Sequence, residues 1–137
     1  GKIWAAASEP RQKLIATISK QLHGADLYIK SSIYAQLGLA RGMAIKNAVA
    51  IRFFDEAMEK FEGMQKSLID AYATADAMDA ALVYEPLSDI ELEKFLDHIQ
   101  MPSAQKFNEF MVRTLPLILR DRAEALGTKL AMNNKGT

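Results

Sequence analysis

Histidines, carboxylates and serines are the side chains here that could do chemistry, and their spacing argues against most of it. The chain has two His and no Cys. His98 has Lys94, Phe95, Met101 and Pro102 at the flanking positions three and four residues away. Helical metal sites repeat His or Glu at that spacing, so His98 reads as a solvent-facing residue. His23 precedes Gly24 at a helix end, where a positive charge complements the helix dipole. Asp55, Glu56, Glu59 and Glu62 read as a solvated acidic face, and no Glu-x-x-His pair stands near them. Ser31, Ser32 and Ser103 lack a Gly-x-Ser-x-Gly elbow, and no Gly-x-x-x-x-Gly-Lys phosphate loop exists. The reading therefore assigns no catalytic residue, no metal ligand and no cofactor, and leans against an enzyme.

An apolar set is the remaining candidate. Met43, Met58, Met64 and Met78 are read onto one long helix, where Met is a pliable core filler. The functional alternative is a groove lined by Phe54, Met58, Phe61, Met64 and Met78, open to an apolar ligand or a partner helix.

The elements that must position these residues are helices. The 137 residues hold 21 Ala, 15 Leu and 7 Met but 3 Val and 5 Thr, with 7 Gly and 4 Pro. That composition favours helix over strand and leaves little for loops. Ser8-Glu9-Pro10 starts a helix whose stripe is Leu14, Ile15, Ile18 and Leu22, stopped at Gly24. A second follows Ala25–Asp26 with Ile29, Ile33, Leu37 and Ala40. Gly38 and Gly42, four apart near its end, suggest close backbone approach or helix termination.

The third element carries the strongest pattern. Ala50, Phe54, Ala57, Phe61, Met64, Leu68, Ala71, Ala75, Met78 and Leu82 alternate at spacings of four and three, a heptad seam. It predicts one helix from about Met43 to Ala81 or Tyr84, roughly 60 Å long at 1.5 Å per residue. A compact ball of this chain length is only about 37 Å across. Either the molecule is elongated, with a second chain available to cover the seam, or the helix kinks near Gly63. Ser88 and Glu91 then form a capping box before Leu92, Phe95, Leu96 and Ile99, a helix ending before Pro102. A last helix runs from about Ser103 to Met132, with a kink expected at Pro116 and a frayed polar tail over Asn133–Thr137.

Net charge is zero but unevenly spread. Residues 1–54 carry eight Lys/Arg against two Asp/Glu, residues 55–97 three against twelve, and residues 98–137 six against three. Opposite charges facing each other across helix seams account for this. A sequence pI near 6.9 argues against a nucleic-acid binder. No run approaches the 20 or so apolar residues of a membrane span. The opening Gly1-Lys2-Ile3-Trp4 has no initiator Met, and the expectation is a processed chain from which a signal peptide would already be gone.

Two motifs carry a resemblance. Leu87, Ser88, Asp89, Glu91 and Leu92 match a Leu-Ser/Thr-Asp/Glu-x-Glu-Leu helix start. Pro102, Gln105 and Lys106 match a Ser-Pro-x-Gly-Gln-Lys turn, with Met101 at the usual Ser and Ala104 at the usual Gly. From about residue 82 to 130 the chain resembles the bacterial family called domain of unknown function 2059. The resemblance implies a mostly helical protein, often exported, in the periplasm or secreted. It implies no activity and no catalytic residue.

The expectation is an all-α single domain, an array of five or six mostly antiparallel helices around one long central helix. Its expected role is a non-catalytic, extracytoplasmic interaction or binding domain, meeting a protein partner or a second copy through the heptad seam. The alternatives are a carrier of an apolar ligand and, last, a small enzyme.

Overall fold

The computed structural model describes residues 1–134, and these form helices and turns without strand. The order is α1 (Lys2–Ala6), α2 (Glu9–Gln21), α3 (Gly24–Met43), α4 (Ala48–Val83), α5 (Asp89–Ile99) and α6 (Pro102–Asn133). The expectation of a frayed tail falls largely on residues outside those described. The short α1 was not foreseen, since five residues carry too little periodicity to register.

The helices group into three rods. α2 and α3 form the first, α4 the second, α5 and α6 the third. α4 runs antiparallel to the first rod: Arg11 bonds the Tyr84 carbonyl, Tyr28 stacks on Tyr72, Tyr34 meets Phe61 and Arg41 pairs with Asp55. Short connections at 44–47 and 84–88 make the path up, down and up, so the first and third rods run parallel. The most extensive helix pair, α3 with α6, is accordingly a parallel one.

The long helix is unbroken through Gly63, whose surroundings are open. Its 36 residues extend about 54 Å. The molecule is therefore elongated rather than kinked. The helix starts five residues later than the heptads suggested. Asn47 caps it by accepting the Ala50 N–H at 3.1 Å, and Met43 belongs to the end of α3. The seam is covered from within the chain, by α3 as far along as Tyr72 and by α2 at the end near Ala81. Phe61 is buried and Phe54 and Leu68 half-buried, but Met64, Ala71 and Leu82 are exposed. A 3.5-residue repeat drifts about 20° per heptad on a straight helix, so one stripe cannot face one neighbour throughout.

Among the described residues, the one cluster of buried apolar side chains that joins three helices sits at one end. Ile15, Ile18, Ala81, Leu92 and Ile99 join α2, α5 and the end of α4, with Trp4, Leu14, Phe95 and Leu96 around them. Local signals behave as read there. Ser8 and Ser88 both cap, and Glu91 closes the capping box on the Ser88 N–H at 2.8 Å. The Arg11 guanidinium bonds Asp89 and the carbonyls of Tyr84 and Leu87, so a basic first third meets the acidic middle as expected.

The other end is held by backbone. Gly38, Gly42 and Gly127 are buried, and a methyl group at any of them would overlap a carbonyl of the facing helix: Arg120, Glu124 and Leu39 respectively. The two glycines four apart thus serve close approach, as one sequence reading held. α6 continues as helix through Pro116, whose ring is fully buried.

Candidate functional site

The structure does not gather the five Met and Phe candidates into one groove. Phe54 and Met58 line a small depression with Arg41, Asp55, Arg120 and Glu124, a polar setting. Arg41 there bonds Asp55 at 2.7 Å and Glu124 at 2.6 Å, tying three helices together. Phe61 is buried edge-on against Tyr34, with ring centroids 5.6 Å apart. Met64 is 48% exposed. Met78 lies seventeen residues further along α4, about 25 Å from Phe61, beside the amino terminus. Apolar spacing located these residues on a helix. It could not tell which neighbour each would meet.

The histidines and carboxylates also fall where chemistry is weak. His98, Glu56, Glu59 and Glu62 are exposed, and Asp55 is engaged by Arg41. His23 lies at a helix end as read, its N–H bonding the Lys20 carbonyl at 3.1 Å just past α2, and its left-handed conformation, φ 55°, turns the corner into α3. Its Nδ1 lies 4.0 Å from an Asp26 oxygen. Among the described residues no group of three acidic or His side chains could hold a metal ion.

Two features stand out instead. The first is a cleft of about 630 Å³ at the His23 corner, walled by α1, α2, α3, α4 and α6. Ala25 and Ala77 are its buried apolar residues, with Trp4, Ile69 and Ala73 beside them. Asp26, Asp70, Asp76 and Glu109 line it, against one amine, Lys20. Gly24 makes room for Asp76, because a methyl there would overlap its carboxylate. Desolvation, then the charges of Asp79 and Asp26, push the Asp76 carboxyl above its usual range. Ser19 lines the same cleft, is 93% buried on its 7% exposure, and its Oγ has no hydrogen-bond partner. Gln105, a residue of the second motif, closes one wall by donating to the carbonyls of Ile99 at 2.5 Å and Gln21 at 3.3 Å. Both motifs thus act structurally, one as a cap and one as a pin between two corners.

Sequence reasoning missed this cleft. Its carboxylates come from three helices and share no spacing. The one local signal was His23-Gly24, which marks the corner but not what converges on it.

The second feature is the exposed surface of α6, on which Phe107, Phe110, Leu117, Ile118, Leu119, Leu126, Leu130 and Met132 are each 36–62% exposed. No helix of the described residues is long and apolar enough to cross a membrane. Compared with known proteins, the chain matches no family model, no curated protein and no solved structure.

Proposed function

We propose that the protein is a non-catalytic helical interaction domain working outside the cytoplasm, and that it meets a second copy of itself through the exposed surface of α6. The observation that carries this is the number of half-exposed large apolar side chains on α6, eight between Phe107 and Met132. A free-standing surface of a soluble monomer rarely shows more than roughly 300–600 Å² of contiguous apolar area. The heptad seam, the surface first favoured by sequence, is mostly used up by α2 and α3, so the open surface shifts to α6.

Charge supports a second copy over a foreign partner. Asp121 is interspersed with Lys106, Arg122 and Lys129 on the exposed part of α6. A two-fold contact needs a patch that complements itself, and a mixed-sign patch can do so where a single-sign one repels. The extracytoplasmic placement rests on the resemblance of residues 82–130 to the domain of unknown function 2059 family, and fractionation of cells expressing the full gene product tests it.

The deciding experiment is sedimentation equilibrium over a hundredfold concentration range. A dimer mass at the upper end, lost in the double variant Phe110→Arg/Leu126→Arg, supports the reading. A monomer mass throughout overturns it.

A further inference from the structure

We propose that the turn joining α3 to α4, with the helix ends beside it, is a tip that docks on an anionic lipid surface. Four large apolar side chains stand exposed there: Met43, Ile45, Val49 and Phe53. Val49, at 81%, is the most exposed large apolar residue among those described. Lys46 and Arg52 are exposed between them, and Val49, Arg52 and Phe53 share one face of α4 at three- and four-residue spacing. Carboxylates are missing from the same place. The sequence has no Asp or Glu from 27 to 54, nor from 125 onward. Gly127 lies against Leu39 and Met43, which brings the last turns of α6 beside the tip. The first carboxylate along α4, Asp55, is held by Arg41. An anion approaching the tip therefore meets cations before any free carboxylate.

Apolar side chains interleaved with Lys and Arg suit a lipid interface. The apolar groups enter the boundary between headgroup and acyl chain, and the long cationic side chains reach the phosphates. The end of two helices joined by a short turn is convex. A bilayer deforms around such a tip, whereas a protein partner would need a matching hollow. Charge also sets the pose. Beyond the tip α4 turns acidic, with Glu56, Glu59 and Glu62 exposed. Residues 55–97 hold twelve carboxylates against three cations. Anionic headgroups repel that flank, so the rod stands on its end rather than lying flat.

The experiment is cosedimentation of the full chain with vesicles of phosphatidylcholine, alone or with about a third phosphatidylglycerol, at about 0.15 M salt and a Debye length of ~8 Å. Binding is expected on the anionic vesicles and should be about tenfold or more weaker on phosphatidylcholine alone. Lys46→Glu/Arg52→Glu should weaken it by about tenfold or more, from roughly fivefold per cation. Val49→Ser/Phe53→Ser should weaken it by about tenfold. All four side chains are exposed, so helical circular dichroism should stay intact. Leu82→Ser/Val83→Ser, as exposed at the other end of α4, should leave binding unchanged. Pose is read from tryptophan. Emission of Phe53→Trp should shift to the blue on anionic vesicles and be quenched by brominated acyl chains. Wild-type emission comes from Trp4 alone, packed on the core near Ala81 about 42 Å from Phe53 along α4, and should not move. Absence of binding to the anionic vesicles overturns the proposal and leaves the tip to a protein partner. So do equal binding to both vesicle types, undiminished binding of either tip variant, equal weakening by the Leu82/Val83 control, or quenching of Trp4 in the wild type. No variant here touches α6, whose surface the sedimentation experiment judges separately.

Discussion

Leu92 and Gly42 are both buried, and for opposite reasons. Leu92 sits at 0% exposure among Ile15, Ile18, Ala81 and Ile99, where side chains from three helices exclude water. Gly42 is buried because it has no side chain, which lets the α6 backbone at Glu124 and Thr128 come against it. The end containing Leu92 buries a cluster of large apolar groups, although Leu82, Val83 and Ile90 nearby stay exposed. The end containing Gly42 leaves Leu126 and Leu130 on α6, and Val49 and Phe53 on α4, exposed. A helix pair that meets backbone to backbone gains dispersion contacts but cannot store bulky side chains between its members. The contrast teaches that one end is held by interlocked side chains and the other by close backbone contact, with α4 passing through both.

The largest test removes the side-chain core. Leu92→Ala deletes a fully buried side chain and should cost about 2–5 kcal/mol, read from the urea midpoint. A loss below about 1 kcal/mol would mean that this end collapses around the gap and is no better packed than the other.

Gly42→Ala probes the opposite end. The added methyl meets carbonyl and amide of a facing helix, neither of which can rotate away, so α3 and α6 must separate. The expected cost is about 1–3 kcal/mol, as for overpacking elsewhere. The sharper readout is hydrogen exchange. Amides of residues 120–133 should lose protection while those beside Ile18 keep theirs. Uniform loss along the chain would erase the distinction between the ends.

A smaller effect belongs to the cap of α5. Ser88→Ala removes the hydroxyl that accepts the Glu91 N–H and should cost about 1 kcal/mol. Acid adds a signature. The Ser88 N–H, then its hydroxyl, hold the Glu91 carboxyl below its ordinary range. A carboxylate whose folded value is lowered stabilises fully above its unfolded value, and that contribution disappears as pH falls through the folded one. The gap between wild type and Ser88→Ala should therefore narrow on the acid side of the usual Glu range. Asp76 carries the opposite sign. Its raised carboxyl is a strain at neutral pH that acid relieves as pH falls through the raised value, so Asp76→Asn should leave the neutral melting temperature unchanged or slightly higher.

The same division explains what the sequence could tell. Where stability is local or periodic, it was legible. Ser8, Ser88 and Glu91 announce helix starts through neighbouring backbone alone, and Leu92, Phe95, Leu96 and Ile99 announce a buried face by spacing. The long helix was legible too, apart from its first turn, because Asn47 caps without a partner motif. Where structure depends on convergence of distant segments, the sequence was silent. Asp26, Asp76 and Glu109 lie on three helices, and nothing in their order says they share a cleft. Gly38 and Gly42 signalled a close approach, but only the three-rod path reveals that the approaching helix is α6. The Met and Phe groove failed for a related reason: heptad positions fix a stripe on one helix, and two different neighbours, α3 and α2, cover it in turn.

The smallest effect on stability should accompany the largest on assembly. Leu126 is 52% exposed on α6, so Leu126→Arg removes little from the fold and should change unfolding free energy by about 0.5 kcal/mol or less. If that surface meets a second copy across a two-fold axis, each substitution acts twice in the dimer, and a guanidinium placed in an apolar contact must be desolvated without a partner. Sedimentation should then show a monomer where wild type dimerises, with the urea midpoint at low protein concentration unmoved. A variant that dimerises normally would place the contact elsewhere. A variant that unfolds would show that Leu126 belongs to the interior, and the outward-facing end would have to be redrawn as part of the core.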